Sequence, residues 1–202
     1  LINKAILTVT ADDKTRNYGE INPTFSLNYN GFVNGENVTA LNTEPTASCL
    51  ADQTTEVSGV EITVNGGSAD NYYFDYVNGM LLINKAELFV SADNQTKTYG
   101  EANPEFTLSY TGFVNGDGES VLDTKPTCTS LANTQTDIGD VQIVISEGHD
   151  DNYNFNLTNG ILSITKAELT VIAEDKVKAY GEANPDLTLS YSGFVIGEDA
   201  TV

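Results

Sequence analysis

The strongest constraint on this chain is a repeat whose length never changes. The triplet Tyr-Gly-Glu begins at Tyr18, Tyr99 and Tyr180, a constant step of 81 residues. Aligned without gaps, residues 4–84 and 85–165 are identical at nearly half of their positions. Solenoid repeats of about 20–50 residues cannot bury a core alone, whereas a unit of this length can fold by itself. The sequence therefore predicts tandem modules: the end of a preceding module at 1–3, complete modules at 4–84 and 85–165, and the first half of a third at 166–202.

Alternation of apolar and polar residues indicates that each module consists mostly of strands. In the first module we expect strands at Leu7–Ala11, Phe25–Tyr29 and Val60–Val64. Asn78-Gly79 divides the alternating stretch Tyr73–Ile83, which predicts a hairpin with a type I′ turn. One short helix is predicted in the second module after an Asp117 cap. Each module should contain five or six strands and one short helix.

The phase of the strands also predicts the core. Tyr73 should point outward, where an aromatic ring offers a surface contact, and Tyr76 should point inward. The other positions expected to be mostly buried are Leu7, Val9, Phe25, Leu27, Tyr29, Phe32, Ile62, Val64, Tyr72, Phe74 and Leu81.

The junctions between modules contain no flexible linker. The last strand of one module leads into the first strand of the next through Lys85 or Lys166, and neither junction contains glycine or proline. We expect the modules to be held stiffly, end to end. The lysine heads should be solvated or should snorkel; an isopeptide crosslink to asparagine is the alternative.

Composition excludes several classes of function. The formal net charge of −20 repels nucleic acids and anionic membrane surfaces. The chain has no apolar run of membrane-spanning length, and its first residues do not resemble a signal peptide. His149 is the only histidine, and Cys49 and Cys128 are the only cysteines, so a catalytic triad, a zinc centre and a disulfide framework are not expected. The sequence predicts neither an enzyme nor a cofactor.

Two groups of residues remain as candidate sites. The repeated pairs Tyr18-Gly19, Tyr99-Gly100 and Tyr180-Gly181 favour a structural role, in which the tyrosine hydroxyl bonds to the backbone and the glycine supplies a positive φ. Because Ca²⁺ prefers oxygen ligands, the acidic loops offer a weak calcium site. Its candidate ligands are Asp117, Glu119, Asp150 and Asp151.

The stretch Lys4–Glu36 resembles the MBG (mostly β-grasp) repeats of large secreted and surface proteins of bacteria, including filamentous-haemagglutinin-like adhesins. The resemblance rests on Lys-Ala, Leu-Thr-Val, Tyr-Gly, Asn-Pro and Gly-Phe-Val-x-Gly at fixed offsets, and it covers essentially the whole chain. The third copy departs from it with Ile196, where the others have Asn34 and Asn115.

The resemblance implies a mostly β, β-grasp-like module without catalytic residues, in a secreted or surface-exposed protein. The leading hypothesis is a structural stalk that displays another domain and whose partners are its own neighbouring modules. The alternative is a binding module that recognises a host glycan or protein through its edge loops. Tyr73 is the best single residue for such a contact.

Overall fold

The computed structural model describes residues 2–195 and 197–201. Leu1, in the predicted end of a preceding module, and Ile196 lie outside the described residues. Among the described residues, strands make up 47% and helices 3%, which confirms a mostly β protein of tandem repeats. The strands are β1 (Ala5–Ala11), β2 (Lys14–Asn17), β3 (Leu27–Asn30), β4 (Thr43–Cys49), β5 (Gly59–Ser68), β6 (Tyr72–Val77), β7 (Gly79–Asn84), β8 (Ala86–Ala92), β9 (Gln95–Thr98), β10 (Leu108–Thr111), β11 (Thr127–Ser130), β12 (Gly139–Ser146), β13 (Tyr153–Thr158), β14 (Gly160–Thr165), β15 (Thr170–Ala173) and β16 (Leu189–Ser192).

The chain forms two compact units whose limits differ from those of the sequence repeats. The first comprises Leu1–Phe89, Tyr110–Lys125 and Gly148–Asn156. It therefore contains the whole first repeat together with three segments of the second, 85–89, 110–125 and 148–156. The second comprises Val90–Ser109, Pro126–Glu147 and Leu157–Val202.

The first repeat folds into two sheets. A three-stranded sheet has the order β3-β1-β6, in which β1 is antiparallel to β3 and parallel to β6. A four-stranded sheet has the order β2-β7-β5-β4, in which β7 is parallel to β2 and antiparallel to β5. The strands of the second repeat have the corresponding orders, β10-β8-β13 and β11-β12-β14-β9.

The predicted hairpin at Asn78-Gly79 is wrong. The strands on either side, β6 and β7, belong to different sheets, so the chain crosses between sheets where a turn was expected. Glycine is required at position 79 because the backbone of Ala11 lies close by: a Cβ on Gly79 would lie 2.7 Å from the Ala11 carbonyl oxygen. The Asn78 side chain accepts a hydrogen bond from the Val64 amide at 3.0 Å. Asn159-Gly160 repeats both features in the second repeat. The Asn159 side chain accepts from the Ile145 amide at 3.1 Å, and a Cβ on Gly160 would lie 2.6 Å from the Ala92 carbonyl oxygen.

The residues that are buried in the first repeat agree only in part with the strand faces predicted from the sequence. Six of the predicted positions are buried: Leu7, Val9, Ile62, Val64, Tyr72 and Leu81. The aromatic positions Phe25, Tyr29, Phe32 and Phe74 and also Leu27 are only half-buried. Tyr76 is 39% exposed and donates its hydroxyl to the Gly66 carbonyl, so its inward assignment is wrong. Tyr76 lies at the end of β6, next to the crossing at Asn78 where the chain leaves this sheet.

Two strands of the first repeat escaped sequence analysis. Strand β2 is short and polar, and β4 contains Pro45, which interrupts the pattern of a central strand. Both lie at the edges of the four-stranded sheet, where proline and short strands are tolerated. The predicted helix is a single 3₁₀ turn at Glu119–Val121, and its N-cap is Gly118 instead of Asp117. A second 3₁₀ turn, Val38–Ala40, has Asn37 as its N-cap.

The third repeat contains one two-stranded sheet, formed by β15 and β16. Its apolar residues remain accessible, with Leu187 82% and Leu189 52% exposed. The described part of the chain contains no helix of the length and hydrophobicity that a membrane span requires.

Candidate functional site at the repeat joints

The Tyr-Gly-Glu triplet forms a tight loop at the end of β2. The Glu20 amide donates to the Asn17 carbonyl at 3.1 Å, which closes a turn around Tyr18 and Gly19. Gly19 has a φ of 83°, a conformation that favours glycine. The Glu20 carboxylate folds back and accepts from the Asn17 amide at 2.7 Å. Gly19 and Glu20 therefore both stabilise the turn that presents Tyr18.

A buried arginine stabilises this loop. Arg16 is only 4% exposed, and sequence analysis missed it because it lies in a short polar strand. Its guanidinium donates to the Asn22 side chain at 2.8 Å, to the Asn17 carbonyl at 3.0 Å and to the Asp52 carbonyl. The five donors of arginine suit such a set of acceptors. The loop is thereby fixed to the chain around Asp52.

The second repeat has a lysine in place of this arginine. Lys97 is 5% exposed and donates to the carbonyls of Glu101 at 3.1 Å and Asn133 at 2.6 Å. Asn103 occupies the position of Asn22, and its Oδ1 is buried without a hydrogen-bond partner among the described residues. Lysine has fewer N–H donors than arginine, which explains why Asn103 lacks the hydrogen bond that Asn22 receives from Arg16.

The Tyr-Gly loop of the first repeat contacts a turn of the second, and both belong to the first compact unit. The Tyr18 hydroxyl donates to the Asp117 carboxylate at 3.3 Å. The Tyr153 hydroxyl donates to the same carboxylate oxygen at 2.6 Å, and the two rings meet edge to face with centroids 5.6 Å apart. Tyr18 is only 8% exposed as a result. We call this contact the repeat joint.

Val114 explains why glycine follows the tyrosine. A Cβ on Gly19 would lie 2.3 Å from Cγ2 of Val114, so the valine occupies the space that any larger residue would need. Next to it, the Asn115 side chain donates to the Gln53 carbonyl at 3.0 Å. The Asn152 side chain accepts from the Val57 amide at 3.0 Å. The joint thus combines a steric fit with hydrogen bonds across the repeat boundary.

A second joint of the same design lies within the second compact unit. The Tyr99 hydroxyl donates to the Glu198 carboxylate at 2.6 Å. A Cβ on Gly100 would lie 2.6 Å from Cγ2 of Val195. Through these contacts the third repeat packs against the second.

The joints raise the pKa of two tyrosine hydroxyls, those of Tyr153 and Tyr99. Burial, together with the hydrogen bond to Asp117, raises the pKa of the Tyr153 phenol well above its ordinary value. Donation to the Glu198 carboxylate raises the pKa of Tyr99. In both cases ionisation would place a second negative charge beside a carboxylate.

The predicted backbone partner of the tyrosine hydroxyls is wrong. The hydroxyls of Tyr18 and Tyr99 donate to side-chain carboxylates of the following repeat and not to the backbone. A single sequence does not show this pairing, because the bonded residues lie 99 positions apart. The third loop keeps the same backbone, with a φ of 86° at Gly181, although Tyr180 is fully exposed.

The four calcium candidates do not converge on one centre. Asp117 accepts the two tyrosine hydroxyls, and Glu119 forms an ion pair with Lys125 at 3.6 Å. Asp150 is buried and accepts from the Asn152 amide at 2.7 Å. Only Asp151 belongs to a group with metal-ligand spacing, together with Asp123 and His149, and all three are exposed.

The remaining candidates have ordinary structural surroundings. Tyr73 points outward as predicted and is 63% exposed, and the Lys4 ammonium lies 5.5 Å from its ring centroid. The junction lysines Lys4 and Lys85 donate to the backbone carbonyls of Ala69 at 2.8 Å and Asp150 at 2.7 Å. Both cysteines are free and half-buried in the described chain.

Two-sheet modules that repeat at a fixed interval and meet through a shared joint define a mostly β tandem-repeat protein. The chain belongs to the MBG domain family of the YGX type, whose family model matches residues 7–82, 88–163 and 169–202. No curated protein matches the chain. The family and the β-rich fold point to a non-enzymatic module.

Proposed function

We propose that this chain is a non-enzymatic stalk segment of a large bacterial secreted or cell-surface protein, which displays an adhesive domain. The observation that carries the proposal is the recurrence of the joint. Tyr18 with Asp117 and Tyr99 with Glu198 use the same loop, the same turn and the same chemistry. A contact that recurs at both boundaries between the described repeats suits a chain that holds its own modules in order.

The junctions support the same role. A single residue, Lys85, separates β7 from β8. The Tyr18 amide donates to the Asn84 carbonyl at 2.8 Å, and the Ala86 amide donates to the Asn152 carbonyl at 2.9 Å. Backbone hydrogen bonds therefore hold both sides of the junction, which is the opposite of a flexible tether. The acidic surface favours solubility and suppresses non-specific association.

Surface display is tested on intact cells that produce the protein. Antibodies raised against residues 4–165 should label intact cells or detect the segment in culture supernatant. Deletion of one 81-residue repeat from the full-length protein should reduce adhesion while the protein remains at the surface. Detection only after cell lysis would contradict the proposal.

The alternative, a module that itself binds glycan or host protein, has Tyr73 as its candidate contact. The position of the Lys4 ammonium near the ring favours a structural use of this residue. A glycan array probed with the chain and with Tyr73→Ala separates the two functions. Reproducible binding that Tyr73→Ala removes would favour the binding module.

A further inference from the structure

The first and last stretches of the first repeat lie side by side in parallel. Strand β1 pairs with β6, beginning at Ala5 and Tyr72, and β2 pairs with β7, ending at Asn17 and Asn84. The interval between partners is 67 residues in both pairings. The stretch β1-β2 and the stretch β6-β7 therefore form one parallel pair in a single register, although both pass from the three-stranded to the four-stranded sheet. We call this the terminal pair.

A side chain links the two stretches where they change sheets. The Asp13 carboxylate, between β1 and β2, accepts a hydrogen bond from the Met80 amide of β7 at 2.7 Å. In the second repeat the Asn94 side chain accepts from the Ile161 amide at 2.8 Å, and β9 pairs with β14 at the same interval of 67 residues. The terminal pair is thus a feature of both complete repeats.

The chain enters and leaves the terminal pair at opposite ends. At the entrance, the Ala5 amide donates to the Asn71 carbonyl at 2.8 Å, and at the exit the Tyr18 amide donates to the Asn84 carbonyl at 2.8 Å. The two points are separated by roughly 40 Å of strand, the length of about 13 residues. Neighbouring repeats pull on a repeat at these two points. Because the stretches are parallel, such tension pulls them past one another along their length.

Sliding of this kind is resisted by many hydrogen bonds at once. The bonds between strands run across the strand direction, so movement along the strands strains them together, whereas peeling from one end breaks them in turn. The strands that receive the load are also interior: β1 lies between β3 and β6, and β7 lies between β2 and β5. Forced unfolding is governed by the rate of unfolding. The arrangement therefore resists force without requiring a large free energy of unfolding.

We propose that each complete repeat bears tension along the chain and that the terminal pair is the element that resists it. Strand β7 continues into β8 through Lys85 alone, so force that reaches Asn84 passes directly to the first strand of the next repeat. The use of this property in a stalk rests on the proposed display role. The resistance itself follows from the strand order and register.

The direction of pulling tests the proposal in the full chain. Handles attached through Asn3→Cys and Asn84→Cys load the terminal pair along its length, whereas handles at Asn3→Cys and Asn71→Cys peel it from one end. All three asparagines are exposed, so the anchors are matched. Cys49→Ser and Cys128→Ala remove the native thiols, and each introduces the residue that the other complete repeat has at that position.

Single-molecule force spectroscopy provides the measurement. We expect the lengthwise anchors to require several times the force of the peeling anchors. The lengthwise event should extend the tether by about 220–250 Å, which is the extended length of the chain between the anchors less their separation in the folded repeat.

Two neighbouring aspartates separate the terminal pair from general stability. Asp13→Ala removes the hydrogen bond from Met80 across the pair. Asp12→Ala is the matched control, because its carboxylate accepts from Ser26 and Asn28, which lie outside the pair. Asp13→Ala should lower the lengthwise unfolding force more than Asp12→Ala does, even though the control loses two hydrogen bonds. Urea unfolding checks that both variants fold.

Either of two results would overturn the proposal: equal forces for the two pairs of anchors, or a loss of force in Asp12→Ala as large as that in Asp13→Ala. The comparison of anchors needs neither aspartate variant, so it stands even if one of them does not fold. Surface labelling tests the display role in a separate experiment. A repeat that yields easily would leave that role untouched, and a protein found only inside cells would leave the mechanical result untouched.

Discussion

The hydroxyl of Tyr18 donates to the carboxylate of Asp117 across 99 residues of sequence, at a distance of 3.3 Å. The partners belong to successive repeats, and the same relationship joins Tyr99 to Glu198. The Tyr-Gly signature is therefore one half of a contact whose other half lies in the next copy. Both halves must be retained in each repeat for the next joint to form.

Removal of the Tyr18 hydroxyl should weaken the first joint. For Tyr18→Phe we expect a loss of about 0.5–1.5 kcal/mol in unfolding free energy, typical of one hydrogen bond. Tyr180→Phe is the control, because its ring is fully exposed and should contribute nothing. Urea unfolding followed by circular dichroism provides the measurement. Equal effects of the two substitutions would show that the Tyr18 bond is not energetically significant.

The steric contact between Gly19 and Val114 can be tested separately by comparing alanine substitutions at two glycines with the same backbone conformation. Gly19 and Gly116 have φ values of 83° and 82°, so alanine should suffer the same backbone strain of about 1–2 kcal/mol at either position. Only at Gly19 would the new Cβ collide with Val114, whereas nothing lies within 4 Å of it at Gly116. Gly19→Ala should therefore lower the urea midpoint further than Gly116→Ala.

A double-mutant cycle tests whether the Val114 side chain causes the loss of stability in Gly19→Ala. Val114→Ala should recover part of the stability lost in Gly19→Ala, because it removes the methyl groups that the new Cβ meets. Strictly additive effects would mean that the collision is not the cause.

The comparison of repeats predicts a stabilising substitution. Lys97→Arg should supply the Asn103 side chain with the donor that Asn22 receives from Arg16. Satisfying a buried acceptor is worth about 1–3 kcal/mol. The reverse change, Arg16→Lys, should destabilise the first repeat. Thermal unfolding tests both variants, and a Lys97→Arg protein that melts below its parent would refute the assignment.

The sheet crossing should tolerate no side chain at Gly79. A Cβ there would lie 2.7 Å from the Ala11 carbonyl oxygen, and a backbone atom cannot move aside as a side chain can. We expect Gly79→Ala to cost about 1–3 kcal/mol or more, as overpacking does. Gly118→Ala is the control, since its φ of −154° suits any residue and nothing lies within 4 Å of a Cβ at that position. Urea midpoints should place Gly79→Ala well below Gly118→Ala.

Alkaline pH should open the joints. The pKa values of Tyr99 and Tyr153 are raised in the folded chain. The stability that they contribute is fully present below about pH 10, the pKa of an unfolded tyrosine, and is lost as the pH rises through their folded values. Absorbance at about 295 nm should show these phenols ionising late in the folded chain and normally in denaturant. Coincident titration curves would contradict the burial of the joints.

Many features of the fold could be predicted from the sequence, because they depend on local pattern and on repetition. The 81-residue interval, the strands around Val9 and Ile62, the outward Tyr73 and the glycine of the Tyr-Gly loop follow from the order of residues along the chain. Repetition made these inferences stronger, since each pattern occurs again in the next copy. The family follows from the same repeated motif.

Tertiary structure alone decided what these residues contact. An Asn-Gly pair between alternating stretches is compatible with a hairpin, and only the pairing of β6 with β1 and of β7 with β5 makes it a crossing between sheets. Likewise, no local pattern connects Tyr18 to Asp117 or Gly19 to Val114. The physical reason is that local sequence specifies backbone conformation, whereas a hydrogen bond across 99 residues or a steric fit across 95 residues exists only after two repeats have folded against each other.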